Sequence, residues 1–138
     1  MTYQDLVHAI LIRWPRTTAI SVRPVTTHAC EECEQVDELL GGKTWMDVAR
    51  NFPSYCHDAY PLLTSHAQAY YLPSYMISAL TENNSQAASV EAYLCSDNFK
   101  RDTLSDDQVD LIQEWVNARL EPDYDQKSIQ LITAKLRA

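Results

Sequence analysis

Glycine is scarce: two in 138 residues, adjacent at Gly41 and Gly42. An all-β meander needs many turn positions with positive φ, so this scarcity argues against one and for helices joined by short loops. Long apolar runs are also missing, and none approaches the roughly 20 residues that a membrane-spanning helix needs. The N-terminal stretch LVHAILIRW lacks a basic leading region and a small-residue cleavage site. It therefore reads as a core helix rather than a signal peptide, and the default compartment is a bacterial-type cytoplasm. Positive charge is short as well, with 11 Lys and Arg against 19 Asp and Glu and a net charge of −8. Affinity for nucleic acid comes largely from Lys and Arg displacing counterions, so direct nucleic-acid binding is not expected. No phosphate-binding glycine loop, serine-nucleophile elbow or H-E-x-x-H helix occurs, which leaves the chain without familiar catalytic machinery.

What is present suits one mostly helical, all-α domain spanning residues 1–138. Hydrophobic residues make up 46% of the chain, enough to bury a core without crosslinks. Leu6, Val7, Ile10, Leu11 and Trp14 form a helical stripe closed by Pro15. Residues 17–27 are β-branched and interrupted by Pro24, which predicts an extended connector or a short strand but no central one. CEECEQVDELL resumes helical spacing and stops at the two glycines. Thr44 predicts a cap for TWMDVARNF, and Thr64 or Ser65 one for HAQAYYLPSYMISAL. Pro73 falls inside that stretch and predicts a kink, or two helices meeting near Leu72. ENNSQ reads as a loop and Ser89–Cys95 as a short helix. Ser105 with Gln108 opens a helix that buries Val109, Ile112, Trp115, Val116 and Leu120 and ends at Pro122. Ile129, Ile132 and Leu136 mark the last helix.

The chemistry-bearing element is THACEECEQV. Cys30 and Cys33 have the C-x2-C spacing that lets two thiolates reach one zinc ion, and His28 lies two residues upstream. A first-turn position also favours thiolate, because free N–H groups there carry positive partial charge. A fourth ligand would come from YCHDAY, which offers both Cys56 and His57. The plain alternative buries Cys30 as a small hydrophobe, exposes Cys33 and leaves the histidines on the surface. A third reading makes Cys30 and Cys33 a redox pair, although the βαβ setting usual for such pairs is missing. Cys95 reads as an ordinary core thiol.

The runs HACEEC, GKTW, CHDAYPLLT, AYYLPSYMISAL and FKRDTLSDDQVDLIQEW resemble a bacterial family of small proteins with no assigned activity. Its pattern combines an H-x-C-x-E-C element, a G-x-T-W turn and an LLT-x-x-A-x-x-YYLP-x-Y motif. The likeness spans roughly residues 28–116. In that pattern the residue seven before the LLT threonine is histidine, here His57. The resemblance thus implies His28, Cys30, Cys33 and His57 as a two-cysteine, two-histidine zinc site, and a closed site of four protein ligands is structural.

These features predict a non-enzymatic cytoplasmic interaction protein with a structural zinc. Its most concrete form is an immunity protein or inhibitor that covers a basic toxin or nuclease through acidic side chains. The alternatives are a small zinc hydrolase with Glu31 or Glu32 as base, and a thiol redox switch at Cys30 and Cys33. Tyr70, Tyr71 and Tyr75 read as part of a proline-kinked core helix with hydroxyls bonded at its rim.

Overall fold

Helix α4, Ser65–Thr81, is the axis on which the rest of the chain is laid. In the computed structural model, which describes residues 2–16, 24–81 and 84–138, every residue from Tyr71 to Leu80 is buried. Burial on all sides explains why this stretch carries no charged residue and no polar stripe, its two serines, Ser74 and Ser78, being buried with it. The helix runs unbroken through Pro73, so the expected meeting of two helices near Leu72 does not occur. An interior proline costs about 3 kcal/mol through its lost N–H and its steric clash. Packing on every face of α4 offsets that cost.

Helices α1 (Tyr3–Arg13), α3 (Trp45–Arg50) and α5 (Asn84–Cys95) pack directly on α4. Helix α6 (Asp106–Trp115) lies against α1, and α7 (Gln126–Arg137) against α5 and α6. Helix α2 (Glu31–Leu40) contacts the short 3₁₀ turn Ser54–Cys56. The fold is therefore all-α, with one continuous core running from Leu6 to Leu136. Among the described residues the β content is a single antiparallel bridge, Thr26 to Leu63. The connector expected over residues 17–27 lies outside the described residues as far as 23.

The sequence punctuation works as local chemistry requires. Thr2 and Ser105 form capping boxes with Asp5 and Gln108, while Thr44 and Asp125 accept an N–H at the starts of α3 and α7. Gly42 takes φ +79° just past α2, a conformation that side-chain-bearing residues rarely adopt. Helix α5 starts at Asn84, five residues earlier than the sequence indicated, and takes in most of the expected ENNSQ loop. After Trp115 the chain adds one π turn, Val116–Leu120, before Pro122. That turn carries Arg119, whose buried Nε donates to the Ala79 carbonyl of α4 at 3.0 Å.

Tyr71 and Tyr75 are buried core anchors, whereas Tyr70 is half-buried at the rim. Tyr71 donates to the Leu40 carbonyl (2.6 Å) and Tyr75 to that of Cys56 (2.8 Å), tying α2 and the 54–56 turn to α4. Tyr70 accepts the N–H of Trp45 at 3.1 Å. Ser74, fully buried, donates to the Trp45 carbonyl at 2.6 Å. Ser74→Ala leaves that carbonyl short of a donor and is expected to cost about 1–2 kcal/mol, read as a lower urea midpoint with an unchanged slope.

Candidate functional site

Cys30 is the N-cap of α2, and its backbone is extended (φ −120°, ψ 167°). This geometry turns the chain so that the Cys30 sulfur accepts the N–H of Cys33 at 3.3 Å. Helical N-termini leave such N–H groups without an intrahelical partner, and here a sulfur takes the place of the usual hydroxyl or carboxylate oxygen. Cys33, at the third helical position, is fully buried, whereas Cys30 is exposed. The plain reading of the sequence had these two the other way round. The cap places Cys30 outside the helix, and the α2 stripe of Cys33, Val36 and Leu40 faces the core.

The two thiols form a directional pair. The nearness of the Cys33 thiol and the amide N–H groups of the helix start, with that of Cys33 bonded to the Cys30 sulfur, favour the Cys30 thiolate. Together they hold the Cys30 thiol below its ordinary pKa, against partial burial and the nearby Glu32 carboxylate. Cys33 shifts the opposite way, first through the neighbouring Cys30 thiol, then through burial and the Cys30 charge. The first group to ionise is thus the exposed one.

The strap before α2 is fixed from three sides. The Val25 N–H donates to Asp37 at 2.7 Å, and Thr26 Oγ1 donates to the Cys33 carbonyl at 3.4 Å. The Thr27 N–H bonds the Leu62 carbonyl, and the Thr64 N–H bonds that of Val25. The strap and α2 enclose an open groove of about 280 Å³, walled by Thr26, Thr27, His28, Ala29, Glu34 and Asp37.

The expected zinc ligands are brought together only in part. Cys30 and Cys33 are side by side. His28 is exposed on the strap that leads into α2. His57 lies just after the 54–56 turn, half-buried, with its ring 5.4 Å from that of Phe52. Among the described residues no group of three or more His, Cys, Asp or Glu is placed to hold a metal ion. In this arrangement the four residues do not fit a closed tetrahedron. Glu31 and Glu32, the candidate bases of the hydrolase reading, are exposed in the first turn of α2.

The remaining thiols have quieter surroundings. Cys56 is buried beneath Tyr75, and burial pushes its thiol up to about 11. Cys95 is half-buried beside Glu91, and burial and that carboxylate raise it too. Tyr60 and Tyr75 are raised by burial in the same direction, and Tyr93 reaches about 12. Unfolding returns these acids to their ordinary, lower pKa values, so the unfolded state sheds protons first as pH rises. The stability they contribute is fully present below the ordinary thiol range and is lost as pH climbs towards the folded values. Thermal melts are expected to show a midpoint that falls steadily between pH 9 and about 11.

An all-α fold with a dithiol capping one helix is the class that geometry defines. In comparisons with known proteins, no family model, curated sequence or solved structure matches the chain. None of its helices, among the described residues, is long and apolar enough to cross a membrane.

Proposed function

We propose that Cys30 and Cys33 act as a reversible dithiol–disulfide switch. The observation that carries this reading is the exposed Cys30 sulfur, held by the N–H of Cys33 at 3.3 Å and so set beside that buried cysteine in the first turn of α2. The chemistry balances with an external disulfide, R–S–S–R, as oxidant. The Cys30 thiolate attacks one sulfur of that disulfide, the R–S–S–R bond breaks, and one RS⁻ leaves. Cys33 gives up its proton to solvent and attacks the Cys30 sulfur of the mixed disulfide, expelling the second RS⁻. Two electrons pass from the protein thiols to the reagent, and two RSH form. Burial protects Cys33 from direct attack without hindering its reaction with an adjacent sulfur. Peptide mapping after treatment with a disulfide reagent tests this. A Cys30–Cys33 linkage in monomeric protein, reversed by dithiothreitol, is the expected result; mixed adducts on Cys30 that never resolve would contradict it.

A second reading uses the same two sulfurs as half of a structural zinc site in an interaction protein. It rests on the adjacency of Cys30 and Cys33, which the C-x2-C spacing anticipates. Completing the site requires the side chains of His28 and His57 to turn towards the pair. In that reading the acidic surface, with net charge −8, would face a basic toxin or nuclease, as an immunity protein or inhibitor does. Metal analysis of protein purified without chelator separates the two. One zinc per chain, lost in Cys30→Ser, supports this second reading, and metal-free protein that still forms the disulfide supports the switch.

A further inference from the structure

The switch reading leaves open which disulfides Cys30 meets, and its surroundings narrow the choice. Helix α2 carries Glu31, Glu32, Glu34, Asp37 and Glu38 and has no Lys or Arg. Glu31, Glu32 and Glu34 stand exposed in the turn that follows Cys30. The groove beside the pair adds Glu34 and Asp37 to its walls, and no Lys or Arg lines it. Asp37 is engaged with the Val25 amide, so its carboxylate is fixed where it stands. An approaching disulfide therefore meets negative potential on the helix side and on the groove side of the reactive sulfur. A plain anionic reagent must bring further negative charge into that field. A reagent carrying ammonium or guanidinium groups is drawn in by the same field.

We infer that the Cys30–Cys33 site selects cationic disulfides, those with amine or guanidinium groups within a few bonds of the sulfurs, over anionic ones. This inference rests on the switch reading. The carboxylates around Cys30 set which partner arrives.

The test uses the full chain with three probes: cystamine (a dication), bis(2-hydroxyethyl) disulfide (neutral) and oxidised glutathione (anionic). Rates of Cys30–Cys33 closure are normalised to those of a small uncharged thiol with the same reagents, which removes differences in leaving-group chemistry. At low salt the normalised preference for cystamine over oxidised glutathione is expected to be about tenfold or more. It should collapse towards unity near 1 M salt, where the screening length shrinks to about 3 Å. A Glu31→Gln, Glu32→Gln, Glu34→Gln variant should lose most of the preference for cystamine over oxidised glutathione. A lysine-flanked cysteine peptide disulfide, run beside cystamine, separates the sources. The peptide outrunning cystamine indicates a basic protein partner, the reverse a small amine disulfide, and either supports the class. Equal normalised rates for the three probes, insensitive to salt, would overturn the inference and leave the switch standing. No closure with any probe would overturn both.

Discussion

Iodoacetamide is expected to label Cys30 in the folded protein at least about tenfold faster than Cys33, Cys56 or Cys95 near pH 7.5. Two independent effects point the same way. Cys30 is exposed, whereas Cys33 and Cys56 are fully buried and Cys95 is half-buried. Cys30 is also the thiol whose pKa lies below its ordinary value, through the Cys33 thiol and the N–H groups of the α2 start. Burial pushes Cys56 to about 11 and raises Cys95. Each unit of pKa is a factor of ten in thiolate where the pH lies below it. The labelling rate of Cys30 should rise with pH and level off earlier than that of a free cysteine. Cys33→Ser removes the neighbouring thiol that helps lower Cys30 and is expected to shift that plateau to higher pH. Time-resolved mass spectrometry of labelled peptides reads both results, and denaturing the protein should make the four thiols react at similar rates. Equal labelling of Cys30 and Cys95 in the folded state would contradict the account.

The largest effect on stability is expected at Trp115. Its ring is fully buried at the end of α6, and its indole N–H donates to the Met76 carbonyl of α4 at 2.9 Å. Trp115→Ala removes the ring and that donor together, leaving a cavity and an unsatisfied carbonyl beside the central helix. Large-to-small changes of this kind cost about 3–5 kcal/mol. For a domain of this size that is a substantial part of the 5–15 kcal/mol typical of whole proteins. Urea unfolding followed by far-ultraviolet circular dichroism should show a much lower midpoint. Trp115→Phe keeps most of the packing but loses the hydrogen bond, so its cost should fall well below that of the alanine variant. A loss below about 1 kcal/mol for Trp115→Ala would show that α6 does not depend on this contact.

Much of this architecture was legible where chemistry acts over one or two helical turns. Ser105 with Gln108, Thr44, and the pair Gly41–Gly42 mark helix ends by the hydrogen bonds and dihedral angles they favour. The burial of Ile112 and Trp115 in α6 and of Val116 and Leu120 in the turn after it follows from helical spacing, while Val109 is half-buried. Pro73 does not split α4 into two helices, because local cost is not the deciding term when a helix is packed on all sides. The early start of α5 was hidden because Asn84, Ser85 and Gln86 read as loop residues. Tertiary bonding recruits Gln86, whose side chain is buried and donates to Ser78 at 3.1 Å. The π turn after Trp115 left no signal in the sequence pattern either, because it continues the same apolar face.

The candidate site was legible in its composition but not in its orientation. C-x2-C at a helix start announces a pair of thiols that can meet. Which one faces water depends on how α2 lies against the 54–56 turn, and spacing alone does not carry that information. The groove beside the pair is likewise a tertiary product, formed where the 24–29 strap crosses α2. His57 shows the same limit: the sequence motif singles it out, while its ring is set by packing against Phe52.

The division of labour between Cys30 and Cys33 is tested most directly by trapping the intermediate. Cys33→Ser treated with bis(2-hydroxyethyl) disulfide should accumulate a stable mixed disulfide on Cys30, located by peptide mass. Cys30→Ser under the same conditions should leave Cys33 unmodified in the folded protein, and wild type should carry the closed Cys30–Cys33 disulfide with little adduct. Adduct on Cys33 in the folded Cys30→Ser protein, or no adduct on Cys30 when Cys33 is absent, would contradict the assignment of Cys30 as the attacking thiol and Cys33 as the resolving one.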